Sequence, residues 1–92
     1  MFSEIHCIVK GKVRGVGYRD FIEEYTRERG LNGWIRNNAD GSVETVIQGT
    51  PDELKGCIEI LNQGSSLSQV EGLSVEWGTP TKHFDEFIVI AS

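Results

Sequence analysis

Apolar and polar residues alternate along the first part of the chain. Between Ser3 and Val13 the odd positions are small or apolar, whereas the even positions are mostly polar, with Ile8 as the exception. A period of two is typical of a strand that buries one face. After Gly17 the spacing changes, and a mixture of apolar and charged residues predicts a helix of about three turns that ends at Gly30.

Two strands with a turn between them follow this helix. Residues 31–37 and 42–48 have strand-like composition, and the second stretch alternates between its two faces. The intervening NNADGS, Asn37 to Ser42, contains two Asn and an Asp-Gly pair, residues that tolerate positive φ in a tight turn. These stretches therefore predict a β-hairpin.

A second helix is indicated by three signals at its start. Thr50 is a suitable N-cap, Pro51 fits the first helical position, and Glu53 completes a capping box. From Leu54 onwards, apolar residues recur at positions i, i+3, i+4 and i+7. This spacing places them on one face of a helix that ends at Gly64.

The predicted order of elements is β-α-β-β-α-β with a short final strand, because residues 70–77 and 84–90 also have strand-like composition. Both helices need one face covered, and two helices on one face of a mostly antiparallel sheet satisfy this order. We therefore predict an α+β sandwich with the ferredoxin-like, split β-α-β topology. A chain of 92 residues suits a single domain, residues 1–92.

Charge and composition limit the partners of this domain. The net charge is −5, yet seven of the nine Lys and Arg residues lie in the first 36 positions, and four of them lie between Lys10 and Arg19. An acidic body argues against nucleic-acid binding, and residues 42–48 lack the aromatic residues that an RNA-recognition domain presents. A local basic cluster suits a small anionic ligand better.

The two cysteines, Cys7 and Cys57, lie in apolar stretches without a C-x-x-C pair or a histidine cluster. We interpret them as buried free thiols rather than as metal ligands or a disulfide. The longest apolar run, residues 87–91, is far shorter than the roughly 20 residues that span a bilayer, and residues 1–6 lack the features of a signal peptide. We expect a cytoplasmic monomer with no membrane association, no metal and no cofactor.

The stretch GKVRGVGYR, residues 11–19, joins the first strand to the first helix. Unpaired N–H groups at a helix start favour an anion, glycines let such groups converge, and Arg19 can add a two-pronged donor. The Walker and dinucleotide patterns do not fit, because Tyr18 follows Gly17 and Asp20 occupies the position of the third glycine. The residues alone leave two readings open, another kind of anion-binding loop or a plain turn with basic surface residues.

This stretch and a second one at residues 33–49, GWIRNNADGSVETVIQG, resemble the two signature segments of the acylphosphatase family. Members of that family are small hydrolases that split carboxyl phosphates into carboxylate and inorganic phosphate. The first family pattern is approximately G-x-V-Q-G-V-x-F-R, and it is matched by Gly11, Val13, Gly15, Val16 and Arg19. The second is G-W/Y/F-x-x-N with a following x-x-x-G-x-V and a later Gly, and it is matched by Gly33, Trp34, Asn37, Gly41, Val43 and Gly49.

Some positions depart from these patterns. Arg14 replaces Gln, Tyr18 replaces Phe, and Ile35 is bulkier than the residue usually found there. Arg14 is either a solvated loop side chain or an additional charge that steers the phosphate, and both readings stay open. Tyr18 can pack its ring as Phe would while its hydroxyl finds water or a partner. Trp34 fits packing on the sheet better than contact with the acyl group.

The resemblance implies a role for each matching position. Arg19 would bind the substrate phosphate and Asn37 would hold the attacking water. The backbone N–H groups expected to help Arg19 are those of Gly15, Val16, Gly17, Tyr18 and Arg19. No strong base or metal-ligand cluster stands at the matched positions, which favours direct, in-line, metal-free attack of water on phosphorus. Two alternatives stay open: a non-catalytic or regulatory phosphate-binding module, and a carbamoyl-phosphate-handling part of a larger enzyme.

Overall fold

The computed structural model describes residues 2–90 of the chain. Its elements are β1 Ser3–Lys12, α1 Tyr18–Glu28, β2 Asn32–Asn37, β3 Val43–Gly49, α2 Pro51–Gln63, β4 Gln69–Gly78 and β5 Phe87–Ile90. The predicted order and the α+β, ferredoxin-like class are confirmed. The predicted domain 1–92 and the apolar run 87–91 extend past residue 90, outside the described residues.

The five strands form one sheet in the order β4-β1-β3-β2-β5. β1 and β2 both pair antiparallel with β3, which lies between them, so they run parallel to each other and end at the same edge of the sheet. β4 pairs antiparallel with β1, whereas β5 pairs in parallel with β2. The turn that leads from β1 into α1 therefore lies beside the end of β2.

The core lies between the helices and one face of the sheet. Ile5 and Val9, at odd positions of β1, are fully buried, which confirms the alternation predicted for this strand. Ile22 of α1 and Leu54 and Leu61 of α2 belong to the same buried cluster. Complete burial of such a side chain contributes about 1.5–3 kcal/mol to folding. The apolar stripe predicted for α2 and the apolar residues of α1 thus form the faces that meet the sheet.

Cys7 and Cys57 are both buried and unpaired, as predicted. Burial raises the pKa of Cys7 to about 12 and the pKa of Cys57 to about 11. Both side chains are therefore neutral thiols at physiological pH, and they pack as small apolar groups rather than as nucleophiles.

The last strand begins at Phe87, three positions later than the strand predicted over residues 84–90. Gln48, a buried residue at the end of β3, holds the preceding connection. Its Oε1 accepts a hydrogen bond from the backbone N–H of Phe84 at 3.1 Å, and its Nε2 donates to the carbonyl of Lys82 at 2.6 Å. The backbone N–H of Phe84, which a longer strand would pair with a neighbouring strand, is bonded instead to the side chain of Gln48. The sequence pattern does not show this contact.

A polar cluster occupies the sheet face that points away from the helices. Glu44 of β3 accepts a hydrogen bond from Nη2 of Arg36 at 2.9 Å, and its other carboxylate oxygen lies 2.5 Å from Nε2 of His6. The hydrogen bond with His6 lowers the pKa of Glu44 below its ordinary value of 4.5, and Arg36 lowers it further. The carboxylate is therefore stabilised by the fold.

The lowered pKa of Glu44 predicts a loss of stability in acid. The unfolded chain binds a proton at Glu44 more readily than the folded one, so this contribution is present above pH 4.5 and is lost as pH falls through the folded pKa. We expect the free energy of unfolding, measured by urea titration, to fall between about pH 5 and pH 3. It should fall less steeply in Glu44→Gln, and equal slopes would contradict the prediction.

Candidate active site

A pocket of about 160 Å³ opens where the β1–α1 turn meets the end of β2. It is lined by Val13, Arg14, Gly15, Gly17, Tyr18, Arg19, Asp20 and Asn37. Arg19 and Asn37 are 18 positions apart in the chain. The fold brings them to one cavity, because β1 and β2 end at the same edge of the sheet. The pocket thus contains the two side chains predicted for catalysis and most of the predicted loop.

The turn itself has the backbone that its glycines predict. Gly15 and Gly17 have φ values of 67° and 74°, in the left-handed region that favours glycine. A Cβ at either position would meet nothing within 4 Å, so the need for glycine is conformational rather than steric. This path turns the chain from the strand into α1 and leaves the backbone open to solvent.

Helix α1 begins without a side-chain cap. Its N-cap is Gly17, whereas α2 has the complete Thr50–Glu53 capping box that the sequence predicts. Within residues 2–90, the backbone N–H groups of residues 15–19 donate no hydrogen bond to the protein. Free donors at the positive end of a helix dipole form a site for an anion.

Val16 differs from the other residues of the predicted loop. It is half-buried against the core and does not line the pocket. Its carbonyl accepts a hydrogen bond from Oγ of Ser65 at 3.1 Å, so the loop is held from behind by the segment that follows α2. Ser65 could not be predicted from the sequence, because it lies in a serine-rich stretch without a distinguishing signal.

Tyr18 anchors the first turn of α1. Its ring is buried, and its hydroxyl donates a hydrogen bond of 2.6 Å to the carbonyl of Leu61 in α2. This contact supplies the partner that the sequence left open between water and protein. Burial raises the pKa of Tyr18 well above its usual range, so the hydroxyl remains a donor.

Arg19 is half-buried, and in the described part of the chain its guanidinium has no hydrogen-bond or ion-pair partner. Other arginines are engaged: Arg27 pairs with Glu23 at 2.7 Å, and Arg36 pairs with Glu44 at 2.9 Å. Asp20 lines the same pocket but forms no ion pair with Arg19 within the described residues, and a partly buried guanidinium without a paired carboxylate gains by binding an anion. Arg19 is therefore available to an anion in the pocket.

Asn37 is the last residue of β2 and pairs in register with the buried Val43 of β3. Its side chain consequently points to the helix side of the sheet, towards the pocket. The Oδ1 atom is buried, and it accepts no hydrogen bond from any residue between 2 and 90. An unpaired buried acceptor costs about 1–3 kcal/mol. Such atoms are rare in folded proteins, so a partner such as a bound water or ligand is expected at this position.

Arg14, the departure from the family pattern, lies exposed at the rim of the pocket. Its Nη1 atom donates a hydrogen bond of 3.3 Å to the backbone carbonyl of Asn38. Arg14 thus reaches from the β1–α1 turn to the end of β2. Trp34 lies on the opposite sheet face, where its ring is 5.2 Å from the guanidinium carbon of Arg36, a position that fits the packing role.

Metal clusters and membrane-spanning helices were the two other features considered in the sequence. Between residues 2 and 90, no three His, Cys, Asp or Glu side chains come together as a metal site. Neither helix in this range is long and apolar enough to cross a membrane.

Comparison with known proteins identifies the family. The family model described as Acylphosphatase matches residues 5–89, which include both signature segments. The chain is 41% identical over 83 residues to the acylphosphatase of Bordetella parapertussis, covering 90% of this chain and 88% of that protein. It is 44% identical over 72 residues to the acylphosphatase of Thermus thermophilus, covering 78% and 82%.

A solved structure agrees with these sequence matches. The crystal structure of acylphosphatase from Bacillus subtilis superposes with a TM-score of 0.91 at 32% identity, covering 96% of this chain and 98% of that one. Sequence and fold thus match over nearly the full length of the described chain, and the pocket lies within the matched residues. The chain therefore belongs to the acylphosphatase family of enzymes.

Proposed function

We propose that this chain hydrolyses carboxyl phosphates to carboxylate and inorganic phosphate without a metal ion. The observation that carries the proposal is the presence, in one pocket, of a guanidinium on Arg19 and a buried acceptor on Asn37 that both lack a partner among residues 2–90. The guanidinium of Arg19 suits a phosphate group, and the amide oxygen of Asn37 suits a water molecule. Both belong to a chain of the acylphosphatase family.

The phosphate group would be held by the β1–α1 turn. The N–H groups of residues 15–19 have no protein acceptor within residues 2–90 and lead into an uncapped helix start, and Arg19 would supply two parallel donors to the phosphate oxygens. These donors are in place before the reaction, so they stabilise the charge on the equatorial oxygens in the transition state without reorganisation. Tyr18 and Ser65 support this role, because they fix the turn from behind.

The water molecule would be oriented by Asn37. Its Oδ1 atom accepts a hydrogen bond from one O–H of the water, whose proton stays on the water oxygen, and this directs a lone pair of that oxygen towards phosphorus. As the new P–O bond forms, the bond from phosphorus to the acyl oxygen breaks, and its electron pair leaves with the carboxylate. The second water proton passes to a phosphate oxygen. A carboxylate with a pKa of about 4 leaves without protonation, so the step needs no general acid.

A chelator experiment tests the proposal. We expect the purified protein to release phosphate from acetyl phosphate at the same rate with and without EDTA, because no step passes through a metal. Phosphate release is followed colorimetrically against a no-enzyme control. Loss of activity in EDTA with recovery in Mg²⁺ would contradict the metal-free mechanism. Binding of inorganic phosphate without turnover would favour the non-catalytic module instead.

We further propose that the protein acts as a cytoplasmic monomer. Every group assigned to the reaction comes from one chain, so the site needs no second copy. Two buried free thiols suit a reducing compartment. Light scattering after gel filtration gives the mass in solution, and 10.3 kDa is the monomer value.

A further inference from the structure

The backbone of Asn38, the residue after Asn37, takes part in three hydrogen bonds. Its N–H donates to the carbonyl of Ser42 at 2.8 Å, and its own carbonyl accepts from the N–H of Gly41 at 3.1 Å. The same carbonyl accepts from Nη1 of Arg14 at 3.3 Å. The backbone of Asn38 is thus bonded both to the hairpin turn and to the β1–α1 turn.

The side chain of Asn38 is bonded at both ends as well. Its Oδ1 accepts from Nε of Arg36 at 3.2 Å, and its Nδ2 donates to Oγ of Ser42 at 3.1 Å. Each partner is itself fixed: Arg36 is paired with Glu44, and Oγ of the buried Ser42 donates to Asp40 at 2.6 Å. The side chain of Asn38 therefore links Arg36 of β2 to Ser42 of the hairpin turn.

Asn37 has no comparable support for its own side chain. Its Oδ1 lacks a protein partner within the described residues, so the direction of the side chain depends on the backbone on either side. That backbone continues into Arg36 on one side and Asn38 on the other, and these two residues are joined by a hydrogen bond. The position of Asn37 is thus determined by its neighbours.

We propose that Asn38 is a positioning residue that holds Asn37 in the orientation needed to place the attacking water. The proposal rests on the proposed function, because it assigns to Asn38 the support of the residue that holds the water. The backbone carbonyl of Asn38 also accepts a hydrogen bond from Arg14 of the β1–α1 turn. This bond links the residue that would hold the water to the turn that would hold the phosphate. A displacement of about 1 Å in a reacting group is enough to slow a reaction about 100-fold.

A kinetic comparison of the wild type with four variants tests this role. We expect Asn38→Ala to lower kcat for acetyl phosphate about tenfold, with KM changed less than about twofold, because phosphate binding is left intact. In the Asn37→Ala background the same substitution should leave kcat unchanged, since no side chain remains to be positioned. Asn62→Ala, on the exposed side of α2, is the matched control and should behave as the wild type.

Three other kinetic outcomes would contradict a positioning role for Asn38. The proposal is overturned if Asn38→Ala keeps the wild-type kcat, if only KM rises, or if kcat falls by the same factor in the Asn37→Ala background. If Asn38→Ala does not fold, as judged by circular dichroism, Asn38→Ser is measured by the same criteria, because it keeps a polar residue and the backbone bonds while its shorter side chain loses the bond to Arg36. An inactive wild type refutes the proposed function instead.

Discussion

Replacement of Arg19 by alanine is expected to lower kcat/KM for acyl phosphate hydrolysis by about 10³-fold. The guanidinium is the only charged group proposed to touch the phosphate, and it has no other partner in the described residues. Its loss removes both ground-state binding and stabilisation of the transition state. The measurement is phosphate release under steady-state conditions, with KM and kcat determined separately.

Two further variants make the Arg19 result specific. Arg19→Lys keeps the charge but loses the planar fork, so we expect activity between those of Arg19→Ala and the wild type. Arg29→Ala removes the same kind of side chain from the far end of α1, where it stacks 3.7 Å from the ring of Tyr25, and should keep nearly full activity. Activity retained in Arg19→Ala would refute the assignment of the phosphate site.

Replacement of Asn37 by alanine is expected to lower kcat about 10²-fold while KM changes less than about twofold. Phosphate binding depends on the β1–α1 turn and Arg19, and this variant leaves both in place. Removal of the buried Oδ1 atom, which lacks a protein partner in residues 2–90, should not destabilise the fold. Thermal unfolding of the variant checks that point.

The control for Asn37 lies at the other end of the same strand. Asn32→Ala removes an asparagine from the first position of β2, far from the pocket, and should leave both kinetic constants unchanged. An Asn37→Ala enzyme with raised KM and normal kcat would indicate that Asn37 binds substrate rather than orients water. Equal losses in the two variants would point to a general effect on β2.

The elements of this fold could be predicted because their signals are local. Thr50, Pro51 and Glu53 lie within one helical turn, and the capping box that they predict is formed. The start of β5 could not be predicted in the same way, because it depends on a buried side chain, Gln48, that lies 36 positions before Phe84. The alternation of apolar and polar residues indicates which face of a strand is buried, but it does not indicate which side chain accepts a hydrogen bond from a backbone N–H group.

The candidate site likewise contains residues that local sequence patterns predict and contacts that they do not. Arg19 and Asn37 could be selected because both lie in segments with a spacing typical of the family, and the structure places them in one pocket. The bonds from Ser65 to Val16, from Tyr18 to Leu61 and from Arg14 to Asn38 join segments that are distant in sequence. Those contacts depend on the packing of α2 and of the hairpin turn, which residue type alone does not determine.

The short strand β5 has a consequence for association between molecules. It covers β2, so the strand that carries Asn37 is paired on both sides and only β4 and β5 form the outer edges of the sheet. Within the described residues, β5 contributes Phe87–Ile90 to one outer edge, and β4 presents the exposed charges of Glu71 and Glu76 at the other. Charged edges resist pairing with strands of other chains. The β4 edge therefore disfavours strand exchange, and β5 shields the strand that carries Asn37 from such pairing.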